Sequence, residues 1–466
     1  MKKRTQDRFL KLGIAFRYLI YALVIILVFE GLLRKFLPPL LSTPVFFIKD
    51  VICLIGLGIF LSRKVDKAGK NLKDVWLFVF FLFVPLFIIT SFHGLLITCF
   101  GAKQYLLYVI VALLTVAGFT KDNGFQFKKF VNFFVLLLIP TTFVAVLQNS
   151  LPATHWLNLS VGGTSLEAFS AGGFLRVGST FSFTGQYSYF LNVEAAFLMI
   201  HFFISPQEKN NPSLLNRFKI PINVLLTSCL IVGAFITGGR TAVLGVTGCL
   251  VLGFILLGLK RPKWTLSKGI VFASCLIIGI AALRVVKPEY FAAYELRSAG
   301  SDNQSHSEEV EGRVLSTFTN WTTWFWEQDL GSVILGNGIG VMSNGAEKIS
   351  EYAYQVRLKL WTETDLSTTF WEGGLYLVLI WYSFRLYIIY MAYKMWKRMH
   401  MVNYFSAASF LLAYIIINGI IGTLALQPPL SIWWWMAVGA MITIKNLDRK
   451  LYLKNKPQQF ERYYFH

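Results

Sequence analysis

The sequence predicts an all-α polytopic membrane protein with about twelve transmembrane helices and one large helical loop outside the bilayer. Composition is the first observation behind this. Of 466 residues 55% are hydrophobic and 15% charged, against about 25% charged in a soluble domain. The second is the recurrence of apolar runs of roughly the 20 residues a spanning helix needs. The third is the placement of basic residues, which fall mostly on alternate sides of those runs. The aromatic share of 16% suits lipid-facing helices with aromatic belts at both interfaces.

Residues 1–149 hold five spans, at 14–33, 45–61, 75–92, 103–119 and 130–149. Met1-Lys2-Lys3-Arg4 precedes the first run and no small-residue cleavage motif follows it, so it reads as a retained helix rather than a signal peptide. Residues 150–185 form a first outer loop. Residues 186–286 hold four spans, at 186–205, 219–237, 241–259 and 269–286. Residues 287–370 form the large outer loop, which carries 12 of the 24 acidic residues. Near-helical aromatic and aliphatic spacing predicts helices within it at Ser316–Trp326 and Tyr352–Trp361. Residues 371–466 hold spans at 371–393, 403–424 and 430–445, followed by a basic cytoplasmic tail.

With both termini cytoplasmic, 30 of the 44 Lys and Arg residues fall inside, as cytoplasmic loops prefer. The net charge of +20 is therefore a topological signal, and a nucleic-acid surface is excluded because the basic residues form no single solvated face. Five cysteines with no CxxC pair give neither a disulfide framework nor a zinc site.

Four motifs at the outer face bear chemistry. Arg176-Val177-Gly178-Ser179-Thr180-Phe181 can offer a guanidinium and hydroxyls to a phosphate oxygen, while by residue type alone it reads rather as an interfacial anchor before a turn. Thr237-Gly238-Gly239-Arg240-Thr241-Ala242 is a sharp reversal in which Arg240 and the amides of the next helix aim at one place, an anion site or simply a tight hairpin. Arg313, Trp321, Trp324 and the run Gly336-x-Gly338-x-Gly340 combine phosphate recognition, aromatic faces for a sugar, and close backbone approach. That glycine run follows no strand of a βαβ unit and is no dinucleotide fingerprint. Glu363 and Asp365 are carboxylates that read as a general base or as decoration of a helix N-terminus, while Glu372, ahead of Gly373-Gly374, reads as such decoration. Charges inside spans form a fifth group: Glu30, Lys49 and Asp50 as an ion-pair set, Glu194 near mid-span, and Arg385 extending toward the cytoplasmic face.

The order of these motifs resembles that of the bacterial O-antigen polymerase and O-antigen ligase superfamily, from about Phe174 to Leu379. The resemblance implies a membrane glycosyltransferase in the bacterial cytoplasmic membrane. Such an enzyme takes a glycan from an undecaprenyl diphosphate donor and joins it to a glycan acceptor at the extracytoplasmic face, without cofactor, metal or nucleotide. A chain-length regulator or a flippase would be its partner. Arg240 and Arg313 match positions that hold the donor diphosphate, and Arg176 matches an arginine ahead of the turn. Ligases of the family place a histidine nine residues before the Glu that precedes the span, where this chain has Glu363, which favours a polymerase over a ligase. A lipid-glycan flippase or transporter is the rival from another class. It would carry its charges along a cavity through the bilayer, whereas these arginines gather at one face.

Overall fold

A computed structural model of the chain describes residues 2–61, 69–120, 124–161, 163, 175–204, 219–298, 312, 315–326, 328–359 and 364–463. Among the described residues the regular structure is helical, with no strand. In chain order the helices are α1 (Lys2–Phe36), α2 (Pro39–Leu61), α3 (Lys70–Ser91), α4 (Leu95–Ala102), α5 (Val109–Phe119), α6 (Phe125–Leu136), α7 (Leu138–Ser150) and α8 (Thr184–Phe203). They continue with α9 (Lys219–Ile236), α10 (Arg240–Lys260), α11 (Pro262–Val286), α12 (Glu289–Ser298), α13 (Trp321–Phe325), α14 (Leu330–Leu335) and α15 (Glu351–Lys359). The last three are α16 (Asp365–Lys397), α17 (Val402–Ile421) and α18 (Pro428–Tyr463).

Each apolar run expected from the sequence coincides with one helix or with two consecutive ones. Among the described residues seven helices are long and apolar enough to cross a membrane, and eight if α4 and α5, bent by 41°, make one span. The bend lies at a π turn, Lys103–Leu107, that joins the two. Shorter apolar stretches occupy Ile220–Ile236 of α9 and Leu276–Val286 of α11.

Helices α5, α8, α17 and α18 form the centre of the bundle, with α1 and α10 packed around them. Central helices are apolar on every side because every side meets another helix. Peripheral helices instead leave large apolar side chains exposed, such as Leu54 on α2, Phe81 on α3, Val251 on α10 and Leu379 on α16. That is the surface hydrocarbon would cover. One aromatic group departs from the belt expectation: Trp433, Trp434 and Trp435 are all 0% exposed in α18. Trp433 packs on Phe134 and Phe190, and Trp435 on Phe384, so these rings fill the core.

Helix α16 is broken. Gly373 (φ −138°, ψ 17°) and Gly374 (φ 59°, ψ −160°) leave helical geometry, and the segment 365–372 folds back along 375–397. In one straight helix Asp365 and Arg385 would lie about 30 Å apart; here they form a buried ion pair. The run read as the entry into a span is thus a hairpin, with the chain reversed at Gly373-Gly374. Its continuation, 375–397, is about 34 Å long and suffices to cross a bilayer.

Candidate functional site

The segment after Arg176 is fixed before the arginine is placed. Gly31 of α1 lets the backbone of Phe181 approach so closely that a Cβ there would collide with it. Leu32 N–H donates to Thr180 O at 2.8 Å, and the Thr180 hydroxyl donates to Val28 O. From the other side Ser179 N–H donates to Gln148 Oε1 at 2.7 Å, and the Ser179 hydroxyl to Thr141 O at 2.6 Å. Ser179 has φ +55°, a left-handed conformation that persists in a non-glycine residue only when its surroundings over-determine it. Four buried hydrogen bonds to α1 and α7 do so here.

This clamp delivers Arg176 to the hairpin between α9 and α10. The reversal uses Gly238 at φ +60°, and the Thr237 hydroxyl accepts from Gly239 N–H at 3.0 Å. Helix α10 then starts at Arg240, which is buried. A methyl group placed on Gly239 would lie 3.3 Å from the Ser188 hydroxyl, 3.4 Å from the Thr237 hydroxyl and 3.7 Å from Arg176 Nη2. Two hydroxyls and a guanidinium therefore border the space that the missing side chain leaves, at the head of a 21-residue helix. The positive end of that helix dipole and the Arg176 guanidinium give the place a cationic field suited to an anion.

Two sequence motifs separated by some sixty residues are thus one site. Ser188, one turn into α8, was not singled out by sequence; a lone serine inside an apolar run carries no signal until the fold brings it to Gly239.

The glycine run Gly336-x-Gly338-x-Gly340 lies elsewhere and is buried in helix packing. All three residues have positive φ, at +72°, +109° and +87°. Gly336 sits against the backbone of Glu372 and Gly373, and Gly340 against Gly101 of α4. Asn337 and Gly338 N–H donate to the carbonyls of Trp371 and Glu372, both at 2.9 Å, and Ile339 N–H to the Thr90 hydroxyl at 2.9 Å. Close backbone approach was the expectation, and it is directed at α4 and the α16 break.

Glu372 is not helix decoration. It is fully buried and accepts from the Tyr105 hydroxyl at 2.7 Å, Gln104 Nε2 at 3.2 Å and Met342 N–H at 2.9 Å. Gln104 and Tyr105 both belong to the π turn that joins α4 and α5. Glu372 thereby ties loop 336–343 to the helices beneath.

Asp365, expected as a base, is engaged on both oxygens. Arg385 and Trp381 Nε1 bind Oδ2, and Ala425 N–H donates to Oδ1 at 2.8 Å. Arg385 does not extend to a surface as the sequence suggested: it is 0% exposed, and it also donates to Gly419 O, Asn418 O and Gly422 O at 2.8, 3.2 and 2.9 Å. Those carbonyls lie at the C-terminal end of α17 and in the residue that follows it, so the guanidinium caps that helix.

Trp321 packs against Phe370 with centroids 5.2 Å apart and the rings tilted by 58°. Arg313, Glu363 and the side chain of Trp324 lie outside the described residues. Among the described residues no group of three or more His, Cys, Asp and Glu is placed to hold a metal ion. No protein-family model and no curated protein matches the chain.

Proposed function

We propose that this chain is a polysaccharide polymerase, a membrane glycosyltransferase that joins lipid-diphosphate-linked oligosaccharide repeats at the extracytoplasmic face. In this reading all twelve apolar helical runs cross the membrane and both termini are cytoplasmic. The observation that carries the reading is the meeting of Arg176 with the Thr237–Arg240 hairpin at the head of α10.

The chemistry asks for such a place. A hydroxyl of the acceptor sugar attacks the anomeric carbon of the donor, the bond from that carbon to the phosphate oxygen breaks, and the lipid diphosphate leaves with the electron pair. Negative charge grows on the leaving group, and fixed cations stabilise it most where little water intervenes. Arginines hold their charge at any working pH and match phosphate oxygens in pairs. Arg176 and Arg240, joined by Arg313, take this role. Glu363 receives the hydroxyl proton, and direct displacement inverts the anomeric configuration. Asp365 is left out of the chemistry because its oxygens are already committed to Arg385 and Ala425. Trp321 and the other loop residues shape the sugar-binding side.

Purified protein is incubated with a lipid-linked repeat, and products are read by chain length and by released lipid diphosphate. Longer chains with released lipid are expected. Transfer to a different acceptor without lengthening identifies a ligase, and movement of the intact lipid across vesicles without any bond change identifies a flippase. Replacing Arg240 by Ala abolishes polymer while leaving inserted protein, and Lys rescues only partly because a point charge cannot copy a bidentate fork.

A further inference from the structure

A second cationic place stands apart from the hairpin. Arg34 ends α1, Lys49 lies on α2, and Lys103 opens the π turn after α4. All three converge on one ring: their charged groups lie 5.1, 3.5 and 5.8 Å from the Phe46 centroid. Two carboxylates balance them. Glu30 binds Arg34 Nη1 and Lys49 Nζ, each at 3.1 Å. Asp50 binds Lys103 Nζ at 2.9 Å and accepts from the Tyr108 hydroxyl at 2.7 Å.

Three cations face two anions, and each carboxylate oxygen already has a donor. The surplus positive charge is not spread evenly. Lys49 is fully buried and directs its ammonium to Glu30 and to Phe46 O, whereas the side chains of Arg34 and Lys103 are 18% and 16% exposed. The spare donors, Arg34 Nη2 and the remaining Lys103 N–H groups, are thus at the accessible ends of the cluster. Apolar side chains near them in the chain are exposed: Leu33, Phe36, Leu40 and Leu41 on either side of the turn after Arg34, and Leu95 and Leu96 on α4, two turns before Lys103. An uncompensated cation next to hydrocarbon is costly. A ligand that relieves the cost has an anionic oxygen group for the donors and apolar chains for the flanks.

We propose that this cluster binds the phosphate of an anionic lipid, with Arg34 and Lys103 contacting the phosphate oxygens and the exposed leucines and Phe36 contacting the chains. The site does not depend on the polymerase reading.

The full-length protein, extracted in neutral detergent, is titrated with phosphatidylglycerol, phosphatidylcholine or inorganic phosphate. It is followed by thermal melting and by mass spectrometry of the intact lipid-bound protein. Phosphatidylglycerol is expected to raise the melting temperature more than phosphatidylcholine does, and the Arg34→Gln/Lys103→Gln variant is expected to retain one lipid fewer and to lose that difference. Equal retention by variant and wild type overturns the site. Protection by inorganic phosphate with none by phosphatidylglycerol overturns the lipid as its occupant. Should the variant not survive extraction, a phosphatidic acid with a photoreactive headgroup is crosslinked to the wild-type protein. Label on peptides containing Arg34 or Lys103 supports the proposal, and label confined to other peptides overturns it.

Discussion

Asp365 and Arg385 are twenty residues apart on one helix and nevertheless form a fully buried ion pair. The pair exists because Gly373-Gly374 reverses the chain, and it unites two helix ends and a turn. Asp365 opens the segment that folds back at the glycine pair, where a negative charge suits the helix dipole, and Arg385 binds the last carbonyls of α17, where a positive charge does. Ala425, in the turn toward α18, donates to the same carboxylate. Removing one member leaves the other buried and uncompensated, a loss of about 3–5 kcal/mol. Asp365→Asn should therefore lower the melting temperature of the purified protein sharply. The double variant Asp365→Asn/Arg385→Met should lose less than the two single losses added together; strict additivity would show that the two side chains do not act as a pair.

Gly239 separates folding from binding. Its φ of −95° suits any residue, and the contacts a methyl group would make, 3.3–3.7 Å, are tight but polar and side-chain in origin. Gly239→Ala is expected to fold and melt close to wild type while losing most of its glycan-transfer rate, because the methyl group fills the space bordered by Arg176, Thr237 and Ser188. Transfer at the wild-type rate would place the phosphate somewhere else.

Arg176→Ala should reduce transfer less than Arg240→Ala. Arg240 belongs to α10 itself and reinforces its dipole, whereas Arg176 reaches the hairpin from a neighbouring loop. Initial rates of lipid diphosphate release, measured for both variants at saturating donor, give the comparison, and the reverse order contradicts it.

Glu363 is expected to receive the acceptor proton. General-base contributions are typically about 10²–10⁴-fold, so Glu363→Gln should slow transfer by a factor in that range with little change in melting temperature. A near-full rate would rule out an essential base at that position.

Ser179 tests the clamp. Ser179→Ala keeps the left-handed backbone and removes the bond to Thr141 O, a loss of about 1 kcal/mol. Ser179→Gly removes the same bond but also the steric cost of the left-handed conformation, about 1–2 kcal/mol. Melting temperatures should therefore rank glycine at or above wild type and alanine below it; the opposite ranking would mean that Ser179 is not strained.

Sequence by itself determined the helical membrane-protein character of this chain and the location of its helices. Both follow from local composition: a run of apolar residues is helical in hydrocarbon because each backbone group must find its partner within the segment. It also pointed to the glycine hairpin at residues 238–239 and to Arg240, since a sharp reversal followed by a helix is a local event. Only the tertiary structure decided the rest. Nothing near Arg176 in the chain announces that it meets Gly239, because that meeting depends on Gly31, Gln148 and Thr141 holding a distant loop. Asp365 and Glu363 look alike as candidate bases until Arg385 takes up one of them. Glu372 looks like a helix start until Tyr105 and Gln104 reach it from more than 260 residues away. The difference is physical. Helix formation is settled by neighbours in sequence, whereas the role of a buried charge is settled by whichever partners the packing brings within hydrogen-bonding distance.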